Sequence, residues 1–386
     1  MQPAVGVSES MLEELAGLVR EFVNREVLSR DQQIEAEDHI PQELLQSARD
    51  VGLFGLSIPL EYGGLGLSMF GKCRIYEELG RAHAGFTSVI GAHNGIGSMG
   101  LVQVGNADQR RRYLPRLAAG ELITSYALTE PQAGSDPTAI QTSAVRQGER
   151  WVLNGQKVFI TNAAIAGLFS VVAVTDPRQG ARGGFSIFLV DRDSPGLSIG
   201  PADHKMGLRG SSTATLYFDN CQVPVENLLG EQGRGYGTAM RILADGRVGL
   251  AARCAGAGQR LVELAVAHAR QRVQGGRPIG EYQLIQAHLA WMDTETQAMR
   301  ALYRTVAEGV DRGTTSPRET SAAKLFCTEA LGRVADRAVQ VFGGMGYIRD
   351  NPVEHIYRDA RITRLYEGTS EIQQLIIARQ LLHDAD

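Results

Sequence analysis

From about residue 10 to 120, apolar side chains return every third or fourth position. Leu12, Leu15, Leu18, Val19, Phe22 and Val23 share one face, and this spacing predicts a helix. Ser10 and Glu13 have capping-box spacing at its start. Pro41 opens a second helix through Leu44, Leu45 and Val51, and the Pro and paired Gly of SIPLEYGGLG (57–66) break it. Helical spacing resumes over 70–81, 96–104 and 108–117. From about 122 to 235 the period falls to two. Short β-rich runs (ITSYALTE, TSAVRQ, WVLN, KVFIT, LFSVVAVT, FSIFLVD, TATLYFD) are separated by Gly, Asn, Asp and Pro. Asn154-Gly155 has the composition of a hairpin turn. Beyond about 237 long helical periods return at 238–271, 283–312, 317–342, 352–361 and 370–383.

The pattern reads as an α+β multidomain chain. An N-terminal α-helical domain (1–121) precedes a middle β-barrel or sandwich domain (122–236), and an antiparallel C-terminal helical bundle follows (237–386). The length, 386 residues, accommodates several cores. A net charge of −4 gives no basic stripe for nucleic acid. Cys73, Cys221, Cys254 and Cys327 are widely spaced, with neither a disulfide framework nor a zinc spacing, and read as small buried residues of a reducing compartment. MQPAVGVSES lacks a basic, then apolar, leader, and no apolar run is long enough to span a bilayer. These features predict a cytoplasmic protein without membrane association.

Two stretches carry candidate chemistry. In RLYEGTSEIQQLIIARQLL (364–382), Glu367 lies on a loop ahead of an amphipathic run, with Gly368 free to bend the chain. Ser370 and Gln373 have capping-box spacing, which predicts a helix starting at Ser370. The helix end lowers the Glu367 pKa and burial raises it, and a carboxylate so poised is a candidate general base. In YALTEPQAGSDPTA (126–139), a strand breaks at Pro131 and offers backbone N–H groups around Thr129, Gly134 and Ser135 to a phosphate or a flavin edge. A strand-to-loop corner satisfying its own backbone has the same composition.

ALTEPQAGSDPTA and QVFGGMGYIRDNPVEHIYRD (340–359) resemble the two signatures of the acyl-CoA dehydrogenases. PLEYGGLG, LNGQKVFITN, QVPVENLLGE and YEGTSEIQ stand around them in the family's order, so the resemblance spans nearly the whole chain. It implies the acyl-CoA dehydrogenase fold, with a four-helix bundle at the C-terminal end. It also implies FAD held between the β-domain and that bundle, and a homotetramer built as a dimer of dimers. The positions matching flavin contacts are Tyr126, Leu128, Thr129, Gly134, Ser135, Phe159 and Thr161. Those matching contacts to the FAD tail are Arg272, Gln283, Gln340, Gly343 and Gly344, some from a facing protomer, with Thr369 and Glu371 from the closing loop. Ser135, Asp245, Arg247 and Gly368 match acyl-CoA contacts. The implied reaction removes an α-proton from an acyl-CoA with Glu367 and passes the β-hydrogen to flavin N5 as hydride, giving a trans-2-enoyl-CoA. Hydrogen bonds to the thioester carbonyl come, in the family, from the N–H of the base residue and from the flavin ribityl chain. Electron-transfer flavoprotein is the implied electron acceptor, and β-oxidation of fatty acids the implied setting.

Three positions depart from the family. Phe159 stands where many members have Trp, Gly275 where relatives have Phe, and His355 where Lys or Arg is usual. His355 reads as a packing variation, mostly uncharged near neutral pH. Some relatives carry the base at the position of Gly246, which here has no side chain. That leaves Glu367, with Asp245 a distant second. A glutaryl-type activity expects an Arg in AHAGFTSV (82–89), and none is present. A flavin oxidase or monooxygenase on the same scaffold stays open, as does a catalytically silent acyl-CoA- or flavin-binding subunit, although Glu367 beside a full flavin set argues against the latter.

Overall fold

The computed structural model describes residues 8–383. Seven helices come first: α1 (Glu9–Phe22), α2 (Asp31–Glu37), α3 (Gln42–Asp50), α4 (Met69–Gly80), α5 (Ala84–Ala92), α6 (Met99–Val104) and α7 (Ala107–Ala118). Ser8, not Ser10, caps α1, accepting from the Met11 N–H at 3.2 Å. Glu13 instead reaches across to Arg74 on α4. A two-residue offset in a run of small polar residues is enough to misplace a cap. Helix α5 carries no amphipathic signal because Gly85–Gly91 are buried throughout, so period counting passes it by.

Strands β1 (Thr124–Ala127), β2 (Ser143–Gln147), β3 (Arg150–Thr161), β4 (Leu168–Val174), β5 (Phe185–Asp191), β6 (Leu197–Ala202), β7 (Thr213–Pro224) and β8 (Leu228–Leu229) form one sheet in the order β6-β7-β3-β2-β4-β5-β8, with β1 parallel to β4. Its inner face closes on Trp151 of β3 against Phe188 of β5, ring centroids 5.2 Å apart. The outer face meets Tyr113, Leu114 and Leu117 of α7.

Asn154-Gly155 is not a hairpin turn. The β2–β3 turn falls at Gly148-Glu149, where Gly148 has φ 59°, and β3 runs on through 154–155. There the partner strand bulges at left-handed Asn220 (φ 49°), whose N–H is received by the Asn154 side chain at 2.8 Å. Any Cβ on Gly155 would come within 2.6 Å of Thr142 Oγ1. The Gly therefore serves a close strand approach, the other use of an Asn-Gly pair.

Helix α8 (Gly235–Gln271) leads into a two-residue hairpin between β9 (Val273–Gln274) and β10 (Arg277–Pro278). Then come α9 (Gln283–Arg312), α10 (Pro317–Phe342), α11 (Pro352–Thr363) and α12 (Ser370–His383). Helices α8, α9 and α10 pack on one another, α12 lies on α10, and α4 covers α8. Gly275 and Gly276 take φ of 60° and 81° in the hairpin, which an aromatic residue at 275 would strain. Among the described residues no helix is long and apolar enough to cross a membrane.

His355 on α11 is buried among acids rather than in a purely apolar site. Its Nδ1 lies 3.6 Å from Asp359 and its Nε2 3.8 Å from Asp31 on α2, and the ring stacks on His83. Burial pulls its pKa down, but Asp359, Asp31 and Glu35 outweigh that and the net shift is upward. The surrounding carboxylates thus favour the charged form of the ring, where the family usually carries a cation.

Candidate active site

A cavity of about 750 Å³ lies between the sheet and the bundle. The β1 side contributes Tyr126, Leu128, Thr129, Gly134 and Ser135; β3 contributes Phe159 and Thr161; the bundle contributes Arg247, Arg253, Tyr366, Glu367 and Gly368.

Phe159 reaches this cavity because β3 carries one extra residue. Pairing with β7 slips between Lys157 and Ile160, and Phe159 takes φ 59°. Strict alternation would bury residue 159 alongside 157. The bulge instead buries Lys157 and Ile160 and leaves Phe159 69% exposed to the cavity. The turn facing it is fixed by a buried ion pair. Lys157 Nζ donates to Glu130 at 2.7 Å and to the Leu128 C=O at 2.9 Å, while Glu130 also takes the N–H groups of Gln141 and Thr142. Among the described residues the N–H groups of Thr129, Gly134 and Ser135 make no hydrogen bond, and the buried Tyr126 hydroxyl has no partner. An exposed aromatic ring, free donors and unpartnered hydroxyls suit the ring and polar edge of a flavin.

Glu367 itself adopts the left-handed conformation (φ 55°), as does Gly368 (φ 90°). For a side-chain-bearing residue this costs on the order of 1 kcal/mol, and the loop is held on several sides. Arg247 Nε donates to the Glu367 C=O at 3.2 Å, Lys324 Nζ to the Gly368 C=O at 2.8 Å, and Gln373 Nε2 to both carbonyls. Helix α12 begins at Ser370, but the capping group is Thr369, whose Oγ1 accepts the Ile372 N–H at 3.4 Å. Ser370 Oγ donates to Glu329 instead, at 2.6 Å. The Glu367 side chain is 12% exposed and its Oε2 has no partner. Burial raises its pKa; Arg253, Arg247 and Lys324 pull the other way without cancelling the rise. Its N–H makes no hydrogen bond among the described residues.

Gly246 lies directly against this carboxylate. A Cβ there would come within 2.7 Å of Glu367 Oε2, so the two positions that carry the base in the family converge on one spot. Asp245 does not line the cavity: its Oδ2 accepts from Gln103 at 2.8 Å. Arg272, Gln283, Gln340, Gly343, Gly344 and Glu371 are exposed, Thr369 is half-buried, and none of the seven lines the cavity. Sequence reading missed Arg253, Lys324 and the Glu130–Lys157 pair. Arg253 had a signal: a lone charge inside the small-residue run VGLAARCAGAG.

Helices thus precede and follow the sheet, and a buried acid faces a cleft between sheet and bundle that Phe159 and Tyr126 also line. The chain belongs to the acyl-CoA dehydrogenase family: that family's N-terminal domain matches 10–121, its middle domain 125–221 and its C-terminal domain 233–382. An acyl-CoA dehydrogenase of Bacillus subtilis is 40% identical over 365 residues, covering 95% of this chain and 96% of the relative. Butyryl-CoA dehydrogenase from Megasphaera elsdenii has a TM-score of 0.94 at 32% identity, with 98% and 99% of the two chains covered. An acyl-CoA dehydrogenase from Bacillus anthracis complexed with FAD has a TM-score of 0.91 at 37% identity, covering 98% of this chain and 68% of that one.

Proposed function

We propose that the protein catalyses α,β-dehydrogenation of an acyl-CoA to a trans-2-enoyl-CoA, with Glu367 as the base. The observation that carries this reading is the buried, half-unpartnered Glu367 carboxylate opening onto the same cavity as Phe159 and the free N–H groups of the 129–135 turn. FAD, when bound, supplies the hydride acceptor. Phe159 would pack against its ring system, while Tyr126, Thr129, Ser135 and Thr161 would hydrogen-bond its polar edge. Arg247 and Gly368 line the acyl-CoA path. The Glu367 N–H donates to the thioester carbonyl and stabilises charge as the α-proton leaves. Glu367 Oε2 receives that proton, and the burial that raises its pKa brings it nearer the range useful at neutral pH.

The same reading takes 1–121, 122–236 and 237–386 as domains, a cytoplasmic homotetramer as the working form, β-oxidation as the setting and electron-transfer flavoprotein as the acceptor. Exposed apolar side chains support association: Val273, Leu284 and Met345 each adjoin an exposed residue assigned to the FAD tail. Glu367→Gln is expected to retain FAD, read from its absorbance after gel filtration, and to abolish anaerobic flavin bleaching by butyryl-CoA. Bleaching at the native rate would remove Glu367 as the base.

A further inference from the structure

The guanidinium of Arg253 lies at the inner end of the cavity, with few of its donors satisfied. The side chain is 14% exposed. Its Nε is buried with no partner, and Nη1 has only the Thr87 C=O, at 3.5 Å. Nη2 is 3.8 Å from Glu367 Oε1, beyond hydrogen-bonding range. The group fits where it does because Gly91 has no side chain: a Cβ there would collide with Nη1. It thus rests against the 82–89 segment while being supplied from α8. Beyond it a cavity of about 50 Å³ shares Ser88, Arg253 and Tyr366 with the main one. A guanidinium this buried ordinarily has a carboxylate on its fork, since an unmatched charge away from water is costly. Glu367 does not fill that place, and its one carboxylate is also under the pull of Arg247 and Lys324.

We propose that Arg253 binds a carboxylate at the far end of the acyl chain, making the preferred substrate a short dicarboxylic acyl-CoA. The proposal rests on the acyl-CoA reading above and names the substrate class within it. Length follows from the geometry. The α-carbon sits about 3 Å from the Glu367 carboxylate when its proton is taken. With Nη2 only 3.8 Å from that carboxylate, the fork is within reach of an acid group two or three bonds beyond the α-carbon. Acyl groups of about four or five carbons meet this reach, and an uncharged chain of that length leaves the fork empty.

The test measures binding without turnover. FAD-loaded enzyme is titrated calorimetrically with thioether analogues of glutaryl-CoA and valeryl-CoA, in which a methylene replaces the thioester carbonyl. The native enzyme is expected to bind the carboxylated analogue at least about tenfold more tightly. Arg253→Gln should remove that preference while leaving the valeryl analogue within about threefold of native, and Arg253→Lys should keep part of it. A native preference for the uncharged analogue overturns the proposal. So does an Arg253→Gln variant that weakens both analogues equally, the outcome of a merely structural role. If neither analogue binds the native enzyme, the acyl-CoA reading falls and the Arg253 proposal falls with it.

Discussion

Glu367 is arranged against the stability of the fold. It holds a left-handed backbone, is buried, and leaves one carboxylate oxygen without a partner. Because burial lifts its pKa above the unfolded value, the folded chain keeps a proton that the unfolded chain has released. Stability is therefore lost as pH rises from the ordinary carboxylate range through the folded pKa. Glu367→Gln removes this titration. At pH 8 its thermal midpoint is expected above that of the native enzyme, by on the order of 2 °C, with the gap closing toward pH 4. Calorimetric scans of both proteins at the two pH values check this, and a native midpoint equal or higher at pH 8 contradicts it. The acid and its closing loop were legible in the sequence, because Gly368 and the amphipathic run mark a loop feeding a helix. That Glu367 itself adopts positive φ was not, since the carbonyl clamps holding it come from Arg247 and Lys324, far away in the chain. Arg253 shows the same limit: its sequence context said buried charge, but only folding shows which partners it lacks.

At the scale of elements, the site depends on how β3 is attached to the turn after β1. Lys157 is fully buried, its pKa lowered to about 8 by burial against the opposing pull of Glu130. Removing one partner of such a pair leaves the other charge uncompensated. Lys157→Met is expected to destabilise the protein by about 3–5 kcal/mol in urea unfolding and to lower FAD content, since the Leu128 carbonyl and Glu130 lose their side-chain tie to β3. Adding Glu130→Gln should recover a good part of the loss; a double variant no better than the single would show the pair is not the cause. The long bundle helices were legible to within a few residues because α9 and α10 end at Gly313 and Gly343, and α10 and α11 begin at Pro317 and Pro352. Missed were α5, buried on every side, and β6, a half-exposed strand carrying Gly200 and Pro201. The bulge that turns Phe159 outward leaves no mark on local periodicity, because it depends on the register of β7.

At the scale of the whole molecule, the residues assigned to the FAD tail lie outside the cavity that the flavin-facing residues line. Arg272 is exposed where α8 ends, near the point where His268 stacks on Phe342 at 4.2 Å, and Gly343 and Gly344 follow directly on that ring. Leu284 is 81% exposed and Trp291 57%, more apolar surface than a lone subunit ordinarily leaves in water around a polar site. If a second copy covers this end, cofactor retention and assembly would be linked, because a bound tail would then touch both chains. Arg272→Ala removes the guanidinium proposed to hold the FAD phosphates without touching an apolar contact. It is expected to lower FAD retention about tenfold or more under dialysis while leaving the sedimentation coefficient at its native value. Trp291→Glu places a charge in the apolar surface and is expected to lower both together. Unchanged flavin content in Arg272→Ala would remove its phosphate role. A Trp291→Glu variant that sediments as the native protein but loses flavin would separate the cofactor from assembly and leave the exposed apolar face without that explanation.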